Sequence, residues 1–376
     1  MDFAWSDEQT ALFEGALAFA RTLPLHPADE AGFRAAFREL GGFGALGLCI
    51  DDGLGGMGLD SLTAARTVEA LGLGCSDMGL LFSASAHLFA CVVPIAAHAS
   101  PELAGRVVPK LCSGAWIGAN AITEAEAGSD IAALTTTARR DGDDYVLDGV
   151  KSYVSNGPFA DLFLVYATVD RSHGYMGVTP FVVERDRPGL RVGARFETMG
   201  LESSPIGSIY LEGCRVPAAN RVGEEGSGSR IFAESMHYER TGLLAAWLGC
   251  MARNLDRAVT HARERKQFRR PIGKFQAISH KLVDMKLRLE AARLLLYQAC
   301  WSRDRGEQAT IEVAMAKLAI SEAAVQNALE AIQVFGGAGY MKEMGLEQVL
   351  RDAVPTTIFS GTSEIQRDLI AKGMGL

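Results

Sequence analysis

The chain is expected to fold as an α+β multidomain protein, because the period of its apolar residues changes from helical to strand-like near residue 119 and back to helical near residue 226. Three regions follow from those changes: an all-helical N-terminal domain over 1–118, a middle antiparallel β domain over 119–225, and a C-terminal helical bundle over 226–376. At 376 residues, 48% of them hydrophobic and 22% charged, the chain is long enough to bury a core in each region.

The N-terminal region shows Ala- and Leu-rich amphipathic stretches, Asp7 to Arg21 and Ser61 to Leu73, separated by Pro24-Leu25-His26-Pro27 and by a glycine-rich loop from Asp51 to Asp60. Within that loop, Gly53-Leu54-Gly55-Gly56-Met57-Gly58 formally satisfies the dinucleotide-binding pattern. A Rossmann unit requires a second parallel strand after its helix, and the chain after Leu73 reads as helical, so the glycines are expected to let two helices approach. The middle region carries short β-branched and aromatic runs bounded by Gly, Asp, Asn and Pro: Tyr145-Val146-Leu147, Leu162 to Tyr166, Pro180 to Val183 and Gly207 to Leu211. After Gly228 the helical period returns. Leu282, Met285, Leu289, Ala292, Leu296 and Ala299 recur at spacings of three and four, and a further helix is expected from Ile311 to Val334. The chain has no tandem repeat or low-complexity tract.

A formal net charge of −8 argues against a phosphate-backbone partner, and only Arg263 to Arg270 forms a basic cluster. Apolar runs read as shorter than the roughly 18 residues of a bilayer span, and the N-terminus Met1-Asp2-Phe3-Ala4-Trp5-Ser6-Asp7-Glu8 is acidic where a signal peptide is basic. A cytoplasmic protein with neither nucleic acid nor membrane as partner is therefore expected. The seven cysteines are scattered, with no Cys-x-x-Cys, and suggest buried thiols rather than a metal site or a disulfide framework.

Four further segments carry the chemistry. Asn120 to Asp130 (N-A-I-T-E-A-E-A-G-S-D) is a short apolar strand followed by a turn of small and polar residues able to lend N–H and hydroxyl groups to a planar polar ligand. Lys151 to Gly157 reads K-S-Y-V-S-N-G. Arg263 to Gly273 and Gln333 to Tyr340 place a basic turn and a glycine cluster at helix ends, where close backbone approach to a pyrophosphate is possible. Together with Ile358-Phe359-Ser360-Gly361-Thr362-Ser363-Glu364-Ile365-Gln366, these segments resemble the acyl-CoA dehydrogenase family over essentially the whole chain. The resemblance implies that family's α+β fold, with a middle antiparallel β-barrel or sandwich domain and a C-terminal four-helix bundle, together with bound FAD and a homotetramer built as a dimer of dimers. It implies flavin contacts from Ile122, Thr123, Gly128, Ser129, Tyr153, Ser155, Thr362 and Glu364, and, across a subunit boundary, from Arg265, Phe268, Gln276, Gln333, Gly336 and Gly337. Tyr153 stands where the family usually has tryptophan, and Arg269 where it usually has glycine.

Family members remove the α-proton of an acyl thioester to a carboxylate while the β-hydrogen leaves as hydride to the flavin. The residue before Gly361-Thr362 is usually that carboxylate, and here it is Ser360, whose hydroxyl cannot act as base alone. Some members instead carry the glutamate on a C-terminal-domain helix directly before an arginine, and Glu239-Arg240 matches that arrangement. Glu239 is thus the expected base, ahead of Glu234 and Glu364, with Ser129, His237, Tyr238, Arg240, Ser360 and Gly361 as substrate-binding residues. Ala86 to Pro94, Met285 to Glu290 and Leu296 to Trp301 are similar to prolyl-carrier-protein dehydrogenases of natural-product biosynthesis. The implied substrate is an acyl or aminoacyl thioester on a peptidyl carrier protein, with a short- or branched-chain acyl-CoA as the alternative and electron-transfer flavoprotein or oxygen as acceptor. A flavin monooxygenase and a catalytically silent scaffold are the readings from other classes.

Overall fold

The computed structural model describes residues 4–27 and 29–376, so Met1, Asp2 and Phe3 of the acidic N-terminal stretch lie outside the described residues. The N-terminal helical period becomes α1 Asp7–Ala20, α2 Glu30–Phe43, α3 Ser61–Gly74, α4 Met78–Ser85, α5 Val93–His98 and α6 Pro101–Cys112. Polar residues start these helices where orphaned N–H groups need acceptors. Ser6 and Gln9 form a reciprocal capping box on α1, and Asp29, Asp60, Asp77 and Ser100 cap α2, α3, α4 and α6.

Two expectations change here. The glycine loop of residues 51–60 is no nucleotide fingerprint, but its glycines do not bring two helices together either. Met57, Gly58 and Leu59 donate to the carbonyls of Gly47, Ile50 and Leu48 at 2.8–2.9 Å, and a Cβ on Gly56 would lie 2.1 Å from the Ile50 oxygen, so the loop folds onto its own lead-in. The second change concerns apolar length. A π-helical segment, Ala86–Val92, joins α4 to α5, making a continuous helix over Met78–His98 that meets the length and composition of a membrane span. Of its apolar window, 83% is buried inside the protein, where it forms the centre of the N-terminal core.

The middle region folds as β1 Gly118–Ala121, β2 Thr137–Asp141, β3 Asp144–Ser155, β4 Leu162–Thr168, β5 Val178–Glu184, β6 Leu190–Arg195 and β7 Ile206–Pro217. They form one curled sheet in the order β1-β4-β2-β3-β7-β6, with β5 also on β4. Most pairs are antiparallel as expected, but β1 runs parallel to β4 from Gly118↔Leu162 to Ala121↔Val165, and β2 meets β4 in parallel at Thr137↔Thr168. The β2–β3 hairpin lies between β1 and β4, giving the chain the length that a parallel return requires. Tyr145, Phe163 and Phe181 fill a core on this sheet separate from that of the helices.

The C-terminal region consists of α7 Gly228–Glu264, the hairpin β8 Lys266–Gln267 and β9 Arg270–Pro271, α8 Gln276–Asp304, α9 Thr310–Phe335, α10 Leu346–Ala353 and α11 Ser363–Gly373. Met285, Leu289, Ala292, Leu296 and Ala299 of the predicted stripe are buried, and Leu282 packs at its margin. Helix α7 also belongs to the N-terminal core. A Cβ on Gly72 would lie 2.0 Å from the Ala246 oxygen, and one on Gly249 would lie 2.1 Å from the Glu69 oxygen, so α3 and α7 touch backbone to backbone. That contact fixes the long helix bearing Glu239 against the N-terminal domain. The seven cysteines are free, six of them buried and Cys49 half-buried.

Candidate active site

Glu239 sits on α7 with 8% of its surface exposed, and it meets the segment before α11. The Ser360 hydroxyl donates to Glu239 Oε1, whereas Oε2 is buried and has no hydrogen-bond partner. The Arg240 guanidinium, also 8% exposed, donates through Nε to the Ser360 carbonyl at 2.9 Å. Ser360 has φ 55° and Gly361 φ 89°. A Cβ on Gly361 would stand 2.9 Å from Gln366 Nε2 and 3.2 Å from Arg240 Nη2, so the turn needs glycine both for its backbone and for its neighbours. Thr362 then caps α11 by accepting from the Ile365 N–H. Burial pushes the Glu239 carboxyl above its ordinary pKa, and the Ser360 donor and the Arg240 charge hold back part of that rise.

Aromatic rings lie on and against the segments that meet here. Tyr166, fully buried, packs edge-on to Phe232, and Phe82 lies 5.0 Å from Phe359, the residue before Ser360. One helical turn beyond Glu239, Gly242 leaves room for the Phe89 ring, which would be 2.4 Å from any Cβ there.

The structure does not bring His237 and Tyr238 to the carboxyl. Successive helical residues point about 100° apart, and these two face the bundle: His237 Nε2 lies 3.2 Å from Thr310 Oγ1 at the start of α9, while Arg303 stacks 3.7 Å over the Tyr238 ring. Glu234 is exposed, paired with His98 Nε2 at 2.8 Å and Arg230 at 2.9 Å. Glu364 is exposed in the first turn of α11, where hydrogen bonds to its own backbone and to Thr362 depress its pKa. Neither offers a desolvated base.

The two middle-domain segments meet. Glu124 and Ala127 exchange backbone hydrogen bonds to close the turn that exposes Gly128 and Ser129, and the Ser152 N–H donates to the Thr123 carbonyl at 2.9 Å. Between the pairs Lys151↔Ile209 and Val154↔Gly207, β3 has one residue more than β7. Tyr153 sits in this bulge at φ 56°, which turns its ring outward to 65% exposure beside Phe196, while Ser155 is half-buried on the next outward step. Ile122 lies under the turn at 8% exposure.

Sequence reasoning quoted Glu124 and Lys151 but gave them no role, and the structure gives them one. Glu124 accepts from the N–H and hydroxyl of Thr135, the N–H and hydroxyl of Thr136, and Lys151 Nζ at 2.8 Å; Lys151 also donates to the Ile122 carbonyl at 3.0 Å. Burial alone would raise the Glu124 carboxyl, but the Lys151 charge and these donors outweigh it and bring the carboxyl down to about 2. The buried pair locks turn to bulge.

The remaining predicted contacts gather elsewhere. Phe268 and Arg269 form the two-residue turn of the β8–β9 hairpin, at φ 50° and 66°, leaving the Phe268 ring 88% exposed. Arg265, Phe268, Gly336 and Gly337 line one cleft of about 350 Å³ with His261 and Phe275. Gln333 and Gln276 are exposed, on the last turn of α9 and the first of α8. His261 lies 22 residues beyond Glu239 on the same helix, about 33 Å at helical rise. One chain therefore carries two separated halves of the expected site.

Models of the acyl-CoA dehydrogenase N-terminal, middle and C-terminal domains match residues 6–115, 119–214 and 226–375. The chain is 49% identical to an L-prolyl-[peptidyl-carrier protein] dehydrogenase of Pseudomonas fluorescens, over 89% of this chain and 88% of that one. It is 39% identical to the human mitochondrial short-chain specific acyl-CoA dehydrogenase, over 90% and 81%. Among solved structures, PigA with FAD and proline superposes with a TM-score of 0.97 at 40% identity, each chain covered in full.

Proposed function

The chain belongs to the acyl-CoA dehydrogenase family, and we propose that it is an FAD-dependent dehydrogenase of a prolyl or similar aminoacyl thioester held on a peptidyl carrier protein. The observation that supports the reading is the hydrogen bond from Ser360 to Glu239: it sets a buried carboxylate from α7 against the residue that stands where the family usually carries its carboxylate. The similarity to prolyl-carrier dehydrogenases, higher than that to the short-chain acyl-CoA enzyme, supports the substrate class.

The residues present fit FAD. An outward aromatic at Tyr153, a turn of N–H and hydroxyl groups at Thr123 to Ser129, and an open glycine pair at Gly336-Gly337 beside Arg265 suit a ring system joined to a pyrophosphate. Their separation along α7 supports an oligomer, a tetramer of paired dimers, in which one subunit's cleft receives the far end of the cofactor of another. When bound, FAD supplies the hydride acceptor. Glu239 takes the α-proton on Oε2, the oxygen left without a partner, while Ser360 keeps Oε1 in place. Burial raises the basicity of the carboxylate toward that of a weakly acidic α-carbon. Arg240, held on the Ser360 carbonyl, keeps one positive charge beside the carboxylate. The protein is proposed to act in the cytoplasm, with electron-transfer flavoprotein or oxygen as final acceptor.

The test is anaerobic bleaching of the flavin band by prolyl-loaded carrier protein and, separately, by short and branched acyl-CoAs. Bleaching by the prolyl carrier that falls about 10²–10⁴-fold in Glu239→Gln is expected for loss of a positioned base. Bleaching by acyl-CoA alone would move the assignment to an ordinary acyl-CoA dehydrogenase. Reduction by NAD(P)H followed by a hydroxylated product would make it a monooxygenase.

A further inference from the structure

Lys317 is a fully buried cation that the proposed chemistry does not use. It lies on α9 at 0% exposure, and its ammonium donates to a backbone carbonyl, that of Thr356, at 2.8 Å. The acids that influence its charge, Glu322 on α9 and Glu364 on α11, are both exposed, and Glu322 is paired with Arg367; the cation on the facing helix is Arg240. Burial pushes the ammonium down to about 8, with the Arg240 charge adding to the effect. A lysine held only for packing would be replaceable by an apolar chain of similar length, since an ammonium taken out of water costs several kcal/mol unless its hydrogen bonds return something.

What it holds is the segment that carries Ser360. The Thr356 carbonyl accepts from both Lys317 and the Ser321 hydroxyl, at 2.8 and 2.9 Å, and four residues later the Ser360 carbonyl accepts from Arg240. Residues 356–360 are thus gripped at each end by a buried cation on a different helix. Between the grips the chain bends so that Ser360 adopts φ 55°, a conformation disfavoured for any residue with a side chain, and in that conformation its hydroxyl reaches Glu239 Oε1.

We propose that Lys317 is a positioning residue for the base: by anchoring the Thr356 carbonyl it holds Ser360 in the bent conformation that pins Glu239 Oε1 and leaves Oε2 directed at substrate. The proposal rests on the reading of Glu239 as base and extends it to a residue with no contact to Glu239. Loss of the anchor lets Ser360 relax, which removes a donor from the carboxylate and makes its charged form less favourable.

The test uses holoenzyme and two readouts. Infrared titration of the Glu239 carboxyl, isolated as the difference between each protein and its Glu239→Gln counterpart, follows the group without substrate. The pH dependence of flavin bleaching follows its use. In Lys317→Met the carboxyl is expected to titrate at higher pH, and bleaching on the acid side to fall about tenfold with KM unchanged. Because the effect runs through Ser360, Lys317→Met is expected to add less than twofold in a Ser360→Ala background. Ser321→Ala, which keeps the charge and removes the other hydrogen bond to Thr356, shifts the titration in the same direction and keeps the test open if Lys317→Met does not fold. An unmoved titration in both variants, or effects of Lys317→Met and Ser360→Ala that multiply, would overturn the proposal. The titration also separates this outcome from failure of the base assignment, because a fully active Glu239→Gln would remove the base while leaving the infrared result to be read by itself.

Discussion

Removing one hydroxyl from this site should change when the enzyme works rather than whether it works. In Ser360→Ala the backbone is untouched, so Arg240 still holds the carbonyl of residue 360, but Glu239 Oε1 loses its donor. Both carboxyl oxygens are then buried without a partner, since Oε2 has none already. A hydrogen bond to a charged group contributes about 1.5–3 kcal/mol, and a loss of that size from the ionised form alone displaces its titration upward by about one to two pH units. Base catalysis requires the carboxylate, so the acid limb of the bleaching rate moves to higher pH, and the rate on that limb drops about 10- to 100-fold, while the alkaline plateau stays within about threefold of wild type. Single-turnover anaerobic bleaching across pH 5 to about 9 measures both. Ser360→Gly serves as the control: it loses the same donor but relieves the φ 55° backbone, so its pH profile should match that of Ser360→Ala while its stability is about 1 kcal/mol higher. An acid limb that stays in place in both variants, or a plateau that collapses in Ser360→Ala alone, would refute the idea that the hydroxyl tunes the carboxylate.

Two further outcomes concern the elements that carry the proposed cofactor contacts. The Glu124 carboxyl, held near 2 against an ordinary 4.5, is depressed in the folded state, so its contribution is present above the ordinary value and is lost as pH falls toward 2. Acid denaturation should therefore steepen below pH 4.5, and Glu124→Gln should flatten that limb in a circular-dichroism titration. Arg269→Gly, which puts glycine at φ 66° in the hairpin turn, is expected to stabilise the chain by about 1 kcal/mol in chemical denaturation, with flavin content unchanged.

The boundaries of structure were legible where they depend on period. Met285 to Ala299 point inward because their spacing requires it, and the turn to strand-like runs after Ala119 marks the sheet. The parallel pairing of β1 with β4 was not legible, because strand direction depends on the path between strands and not on the residues within them. Met78–His98 was misjudged in length because His87, Pro94 and scattered small residues interrupt an apolar run that is nevertheless free of Asp, Glu, Lys and Arg. At the site, the motif with its serine identified Ser360 and led to Glu239, yet adjacency in sequence misled at His237 and Tyr238, which a helix turns toward other neighbours.

Three buried cations of the chain share a physical property that sequence reasoning does not reach. Lys317, Arg240 and Lys151 are buried cations, and each donates to a main-chain carbonyl: Thr356, Ser360 and Ile122. A carbonyl is present at every position, so as a partner it leaves no mark in the sequence; of the three, Lys151 also has a carboxylate partner, Glu124. Lys317 stands in Ala314-Met315-Ala316-Lys317-Leu318-Ala319-Ile320, where a lysine on a helix is usually a solvated one. Only the fold shows that its charge is spent inside, on the backbone of the segment that reaches Glu239, and so it is at the Thr356 and Ser360 carbonyls that the geometry around Glu239 is held.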